Sequence, residues 1–201
     1  SPPAAEKLGK VHFETSCNAA VASDFDRALA LLHSFEFQPA IAGFEQVLKG
    51  DGECGIAGWG IAMSVWGNPF AGLRAPRVIQ DGQAAVDRAQ TIGAKTTRER
   101  EFIDAVALLY RNANVNDQRT RTMAYEQEME RIAGKYPDDP EAAAFYALAI
   151  DQNALPTDKT FANQLKAAAT LERLFKTEPD HPGVTHYLIH SYDTPALPRR
   201  R

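Results

Sequence analysis

Apolar residues recur at three- and four-residue spacing along most of this chain, which is the period of an amphipathic α-helix. In residues 22–35, for example, Phe25, Leu29 and Leu32 fall on one face. The only β-like run, residues 11–13, is too short for a strand. The pattern therefore predicts an all-α protein of about nine helices. These helices are expected at residues 22–35, 37–49, 54–66, 78–92, 97–110, 119–136, 140–151, 160–176 and 182–192.

The predicted third helix has an unusual composition, because glycines alternate with bulky apolar residues. Gly58 and Gly60 flank Trp59, although glycine costs a helix about 1 kcal/mol relative to alanine. Such a helix is expected to pack against its neighbours at close backbone distance. Trp59, Met63 and Trp66 form a stripe on it. Core packing is the favoured interpretation of this stripe, and an aromatic wall of a binding groove is the alternative.

A spacing pattern repeats in the second helix of each predicted pair. A small or apolar residue is followed four positions later by a second, three positions later by a third, and five positions later by a residue that ends the helix or starts the next turn. The four occurrences are Ala40-Phe44-Val47-Gly52, Ala85-Ala89-Ile92-Thr97, Tyr125-Met129-Ile132-Pro137 and Ala167-Leu171-Leu174-Pro179. The first three residues of each set share one helical face, so each set predicts packing against a partner helix.

This pattern resembles the tetratricopeptide repeat (TPR), in which two-helix units stack into a solenoid. Trp59 with Gly60 and Tyr146 with Ala149 are similar to the small and aromatic positions of the family's first helix. The spacing of the repeats is longer than the family's period of about 34 residues. The resemblance implies a right-handed α-solenoid over residues 22–193. An extended N-terminal segment, 1–21, would precede it, and a tail, 194–201, would be the start of further repeats.

A narrower resemblance is carried by residues 30–35, 58–69 and 180–193. These segments are similar to a group of long bacterial TPR proteins that are often exported. The resemblance implies that further helical repeats follow this chain. It also implies a concave groove lined by first-helix side chains, and the predicted ligand-binding residues are His33, Trp59, Tyr146 and Tyr187. For His33 a structural role near the end of the first helix is the favoured interpretation, and a place in the groove is the alternative.

The bulk composition excludes two classes of partner. The net charge is −4, with 22 basic and 26 acidic residues and no clustered basic surface apart from the last three arginines, so nucleic acid is not expected as a partner. No apolar stretch is long enough to span a membrane. The chain begins at Ser1 with a proline- and alanine-rich segment, which is typical of a mature chain after signal removal. The predicted location is periplasmic or secreted, with a trimmed cytoplasmic chain as the alternative.

The two cysteines refine this expectation. Cys17 precedes the first predicted helix and Cys54 begins the third. In a stack of antiparallel helices the first and third run parallel, so their starts lie close together and a disulfide is geometrically reasonable. Such a bond would fit an oxidising compartment, and two buried free thiols are the alternative. The absence of a C-x-x-C pair disfavours a cysteine metal site.

The histidines are the main candidates for chemistry. His186 and His190 are four residues apart on the last predicted helix, so they share a face and could grip one metal ion. His181 and Asp193 are the predicted additional ligands, with Zn or Cu as the ion. Tyr187 occupies the position at which a zincin motif has its glutamate. Because that glutamate is the general base of the metalloproteases, its absence disfavours protease activity. Histidines that only form hydrogen bonds in a groove or core are the favoured interpretation, and metal binding is the alternative.

These observations predict a non-catalytic scaffold that binds a peptide or protein segment in its concave groove and requires no cofactor. The alternative is an exported metal-binding protein that uses the histidine cluster. A metal-dependent enzyme is the least favoured of the three, because the sequence has no P-loop, dinucleotide fingerprint, nucleophile elbow or kinase motif.

Overall fold

The computed structural model describes residues 8–193, and within them every regular element is helical. The predicted all-α class, with about nine helices and no strand, is confirmed for this range. A short 3₁₀ helix at Ala19–Val21 leads into the first α-helix. The α-helices are α1 (Ala22–His33), α2 (Phe37–Gly50), α3 (Gly55–Trp66), α4 (Pro76–Ile92), α5 (Thr97–Tyr110), α6 (Gln118–Lys135), α7 (Pro140–Gln152), α8 (Ala162–Thr177) and α9 (Pro182–Tyr192).

Local sequence explains where several helices begin. Thr96 and Glu99 form a reciprocal capping box at the start of α5. The Asp139 carboxylate accepts hydrogen bonds from two backbone N–H groups of α7, and Pro140 occupies the first helical position. The His181 imidazole caps α9 in the same way, through the backbone N–H groups of its first turn. This cap fixes the orientation of the His181 side chain.

Consecutive helices pack against each other along the whole array, as the repeat pattern predicts. Ten of the twelve repeated apolar positions are buried, and Ile92 and Leu174 are half-buried. Contacts also join α1 to α3, α3 to α5 and α7 to α9. The array curves enough that α9 returns to contact α1. This curvature brings the first and last helices of the described chain together.

The inner faces of α1, α3, α5 and α7 meet in one aromatic core. Trp59 of α3 lies at its centre, with ring centroids 5.5 Å from Phe102 of α5 and 5.2 Å from Phe145 of α7. Phe13, from the segment before α1, inserts between these helices and lies 5.4 Å from the Trp59 ring and 5.5 Å from that of Phe25. The space that would be a concave groove in an open solenoid is therefore filled with side chains.

Residues 8–18 form no helix or strand and lie across one end of this core. Lys10 donates its backbone N–H to the Asp180 carbonyl, and the Ser16 hydroxyl donates to the Glu99 carboxylate. Cys17 forms a disulfide with Cys54 at the start of α3. The segment is therefore fastened to three separate elements. The predicted tail, 194–201, lies outside the described residues, as do residues 1–7.

The glycines of α3 allow close helix packing, as their spacing predicts. A Cβ on Gly58 would lie 2.7 Å from the Cβ of Ala89 in α4, and a Cβ on Gly60 would lie 2.4 Å from the Phe44 ring in α2. Neither neighbour could accept a methyl group at that distance without moving. The two glycines therefore let α2 and α4 pack directly on the backbone of α3.

Candidate functional site

The contact between α1 and α9 contains a fully buried polar cluster that also reaches α7. The Glu141 carboxylate bridges two imidazoles: His33 Nε2 is 2.7 Å from one oxygen, and His181 Nε2 is 2.7 Å from the other. His33 Nδ1 lies 2.7 Å from the Tyr187 hydroxyl. All four side chains are at most 2% exposed. We call this group the closure cluster, because it joins the first helix of the described chain to the last.

Hydrogen bonding fixes the proton positions in the closure cluster. His181 Nδ1 accepts from the backbone N–H groups of Gly183 and Val184, so in a neutral ring Nε2 carries the proton and donates it to Glu141. His33 can donate from Nε2 to the same carboxylate while Nδ1 accepts from the Tyr187 hydroxyl. Every polar atom of the two imidazoles and the carboxylate then has a partner.

The electrostatics of the closure cluster favour an ionised glutamate beside a neutral histidine. Burial opposes ionisation of Glu141, but its interactions with the two imidazoles, including the hydrogen bonds that both donate, outweigh burial and lower its pKa. Burial lowers the pKa of His33, against the opposing attraction of Glu141. Burial also raises the pKa of the Tyr187 hydroxyl. That hydroxyl therefore stays protonated and able to donate.

The atoms of His33, Glu141 and His181 lie close enough together to hold an ion, but their hydrogen bonding does not fit one. A metal-bound histidine normally donates its other ring N–H to an acceptor. His181 does the opposite, because its Nδ1 accepts two backbone N–H groups and its Nε2 must keep a proton. The closure cluster is therefore complete as a hydrogen-bonded link between helices.

A second pair of histidines lies on the outer side of the α1–α9 contact. His186 Nδ1 is 2.8 Å from the His33 carbonyl oxygen, and the Nε2 atoms of His186 and His190 are 3.1 Å apart. Both side chains are half-buried. The Phe35 ring contacts both imidazoles, with centroid distances of 4.2 Å and 5.7 Å. Burial and the neighbouring His186 lower the pKa of His190, which favours a neutral ring.

The structure brings together only two of the four predicted metal ligands. His186 and His190 converge, whereas His181 is held in the closure cluster by Glu141 and by the start of α9. Asp193 is exposed, and its negative charge raises the pKa of His190, against burial and the neighbouring His186. His181 therefore lies apart from the pair, and the four-ligand site stays a prediction. His181 faces the interior because it caps α9, and one helix cannot turn all four side chains to one side.

The predicted groove residues are not on an open groove. Trp59 is 1% exposed, and His33 and Tyr187 are 0% exposed. Tyr146 is half-buried on another surface, where its hydroxyl donates to Glu130. Because the array curves until its inner helices touch, three of these four side chains became core residues. A peptide could not reach them in this conformation.

A cleft opens beside the histidine pair, where the α3–α4 loop approaches the ends of α6 and α7. We call it the Asp151 cleft. Its volume is about 510 Å³, within the usual range for ligand sites. Its lining residues include Phe70, Leu73, Asp151, Gln152 and His190. Two of them are exposed apolar side chains, since Phe70 is 40% and Leu73 is 87% exposed.

Asp151 is the acid that lines this cleft, and its pKa is shifted far from the usual value. It is 5% exposed, and one carboxyl oxygen accepts from the Ser191 hydroxyl at 2.5 Å. The other oxygen, and the side-chain nitrogen of Gln152, are buried without a hydrogen-bond partner in the described part of the chain. Burial raises the pKa of Asp151 to about 7, although the Ser191 hydrogen bond acts in the opposite direction. The floor of the cleft therefore combines an acid that titrates near neutrality with unused hydrogen-bonding capacity.

Sequence reasoning missed Glu141 and Asp151. Glu141 follows Pro140 and is typical of a first-turn acid that faces solvent, so nothing in its context marks it as buried. Asp151 carries a weak signal, because it closes the apolar run 147–150 at a position where the helical face should be buried. An acid on such a face is either a functional group or a buried carboxyl with a partner.

The cysteines form the remaining candidate group. Cys17 and Cys54 lie with Asp51 in a cluster of metal-ligand type, but their sulfurs are joined in the disulfide. A disulfide sulfur is not a thiolate, and the thiolate is the metal ligand. In this state the group is a cross-link.

No helix in residues 8–193 combines the length and apolar character needed to cross a bilayer. Comparison of the chain with protein-family models, curated proteins and solved structures finds no match. The TPR resemblance therefore stays a prediction.

Proposed function

We propose that this chain is a non-catalytic TPR-like module, wound as a right-handed solenoid, that binds a peptide segment of a partner protein in the Asp151 cleft. The observation that carries this proposal is the cleft itself, which joins exposed apolar side chains to unused polar groups. The Cys17–Cys54 disulfide supports an exported location, since such bonds persist in oxidising compartments.

The chemistry of the cleft matches an extended peptide. A peptide backbone offers an N–H donor and a C=O acceptor in every residue. The complementary acceptor of Asp151 and donor of Gln152 are buried beneath the cleft, and a peptide would engage them once these side chains turn outward. An apolar side chain of the peptide would cover Phe70 and Leu73 on the rim. Because the inner face is closed by Trp59 and its neighbours, the proposed binding surface is the cleft between the α3–α4 loop, the start of α6 and the end of α7.

A random linear-peptide display library, selected on the immobilised chain, tests this proposal. Enriched peptides should bind the free protein in calorimetry, and Leu73→Asp should weaken that binding at least about tenfold by placing a charge on the rim. Val115→Asp is the matched control, because Val115 is also an exposed apolar loop residue, 77% accessible, and does not line the cleft. The proposal fails if no peptide is enriched, or if the two variants weaken binding equally.

A further inference from the structure

We propose that His186 and His190 form a two-imidazole binding site for a divalent transition metal of the zinc or copper class. The site differs from the predicted four-ligand site and from the closure cluster. Imidazole nitrogen is a preferred ligand of these ions, and the pair lies on one face of α9 with its two Nε2 atoms facing each other.

The distance between the two nitrogens suits a shared ion. They are 3.1 Å apart, and zinc binds imidazole nitrogen at about 2.0–2.1 Å. An ion at that distance from both atoms would see them at an angle of roughly 95–100°. This angle lies between the octahedral and tetrahedral values, and each ring would turn by about 40° so that its lone pair points at the ion instead of at the other nitrogen.

The proton positions also suit an ion. The His33 carbonyl can only accept, so His186 must donate to it from Nδ1 at 2.8 Å. In the neutral ring, Nε2 of His186 is therefore unprotonated, and its electron pair accepts the hydrogen bond from Nε2 of His190. This arrangement, a ring N–H held by a backbone carbonyl with the other nitrogen unprotonated, is typical of metal-bound histidine. His190 needs only to move its proton from Nε2 to Nδ1 to become the second ligand.

The closure cluster fixes this geometry. His33, whose carbonyl orients His186, is held through its own side chain by Glu141 and Tyr187. The Phe35 ring packs against both imidazoles, and Phe70 lies 4.7 Å from the His190 ring on the other side. These contacts restrict ring rotation before an ion arrives, which reduces the entropy cost of binding.

The ion would be reachable from the Asp151 cleft, because His190 is one of its lining residues. Two protein ligands leave coordination positions open to water or to a donor atom of another molecule. The inference does not rest on peptide binding in that cleft, since the metal alone is sufficient to test it.

Calorimetric titration of the untagged, metal-free chain with Zn²⁺ is the test. We expect one ion per chain, with affinity reduced at least about tenfold in His190→Phe and in His186→Asn. Phenylalanine keeps the ring packing against Phe35 and Phe70 but removes the ligand nitrogen. Asparagine keeps an N–H donor for the His33 carbonyl. His12→Phe is the matched control, because the His12 side chain is 73% exposed and lies in the N-terminal segment.

Three results would overturn the proposal. One is the absence of a one-to-one binding event with the native chain. Another is unchanged affinity in His190→Phe and His186→Asn when circular dichroism shows both variants folded. The third is loss of binding in folded His181→Gln with His190→Phe unaffected, which would move the ion to the closure cluster. Visible absorption of the Co²⁺-loaded chain gives an independent readout of nitrogen ligation. None of these measurements uses a peptide, so failure of the proposed peptide binding would leave them interpretable.

Discussion

Asp151→Asn should remove the part of the pH dependence of the unfolding free energy that comes from one buried carboxyl group. Asp151 is 5% exposed, and burial raises its pKa to about 7 from an ordinary value of 3.8. Below pH 4 both the folded and the unfolded chain hold the proton. Between pH 4 and 7 the unfolded chain loses the proton first, so stability falls as pH rises, and it levels off above the folded pKa.

The size of the effect follows from the difference between the two pKa values. The two pKa values differ by about 3, and each pKa unit corresponds to roughly 1.4 kcal/mol. The free energy of unfolding should therefore fall by about 4 kcal/mol between pH 4 and pH 8. Asparagine cannot ionise, so the variant should lack this loss. Its buried amide would itself need partners and costs about 1–3 kcal/mol at all pH values. We expect the variant to be less stable than the native chain at pH 4 and equal or more stable at pH 8.

Urea unfolding at a series of pH values, followed by circular dichroism, measures this difference. The decisive quantity is the change in the free-energy difference between variant and native chain from pH 4 to pH 8, about 4 kcal/mol in favour of the variant. Asp138→Asn is the control, because Asp138 is exposed and its replacement should shift stability by less than about 0.5 kcal/mol. A difference that stays constant with pH would refute the argument that Asp151 is buried with a raised pKa.

Three further predictions concern stability. Glu141→Gln should lower the free energy of unfolding by about 1–3 kcal/mol in urea melts at pH 7, because the amide can accept from only one of the two imidazole N–H groups and leaves the other buried without an acceptor. Reduction of the Cys17–Cys54 disulfide should lower it by roughly 4 kcal/mol, given the 37-residue separation, in melts with and without reductant. Gly183→Ala should cost about 1–3 kcal/mol in thermal melts, because its Cβ would lie 2.4 Å from the closure cluster, whereas Gly134→Ala should stabilise α6 by up to about 1 kcal/mol.

Each of these predictions has an outcome that contradicts it. A Glu141→Gln loss of less than about 1 kcal/mol would mean that the closure cluster contributes little to joining α1, α7 and α9. An unfolding midpoint that does not change with reductant would contradict the cross-link. Equal effects of the two glycine substitutions would contradict the close approach of α9 to His33, since only Gly183 has neighbours within 4 Å of its added Cβ.

The helical class and the approximate bounds of the helices follow from local pattern. Residues 182–192 were predicted as a helix and form α9 at the same bounds, because proline starts it and the polar end is followed by more proline. The short-range cap of Asp139 on α7 and the close packing allowed by Gly58 also follow from neighbouring residues. These features depend on interactions within one or two helices, which a repeating pattern specifies.

The candidate site was predictable only in part, because some of its contacts join helices that are far apart in the sequence. His186 and His190 lie four residues apart on one helix, so their convergence follows from helical geometry alone. The meeting of His33 with Glu141, across a sequence separation of 108, does not. It depends on how far each helix pair rotates relative to the preceding pair, and small rotations add up along the array.

The sequence by itself determined an all-helical array, its approximate helix bounds and the facing histidine pair, because each depends on spacing along one or two helices. Only the tertiary structure decided that the array curves until α9 contacts α1. Because of that curvature, side chains around Trp59 occupy the expected groove, and His33 and Tyr187 are buried in the core. The Asp151 cleft remains open beside the α3–α4 loop. The physical reason is that curvature is the sum of many small packing angles, and no single residue pattern encodes that sum.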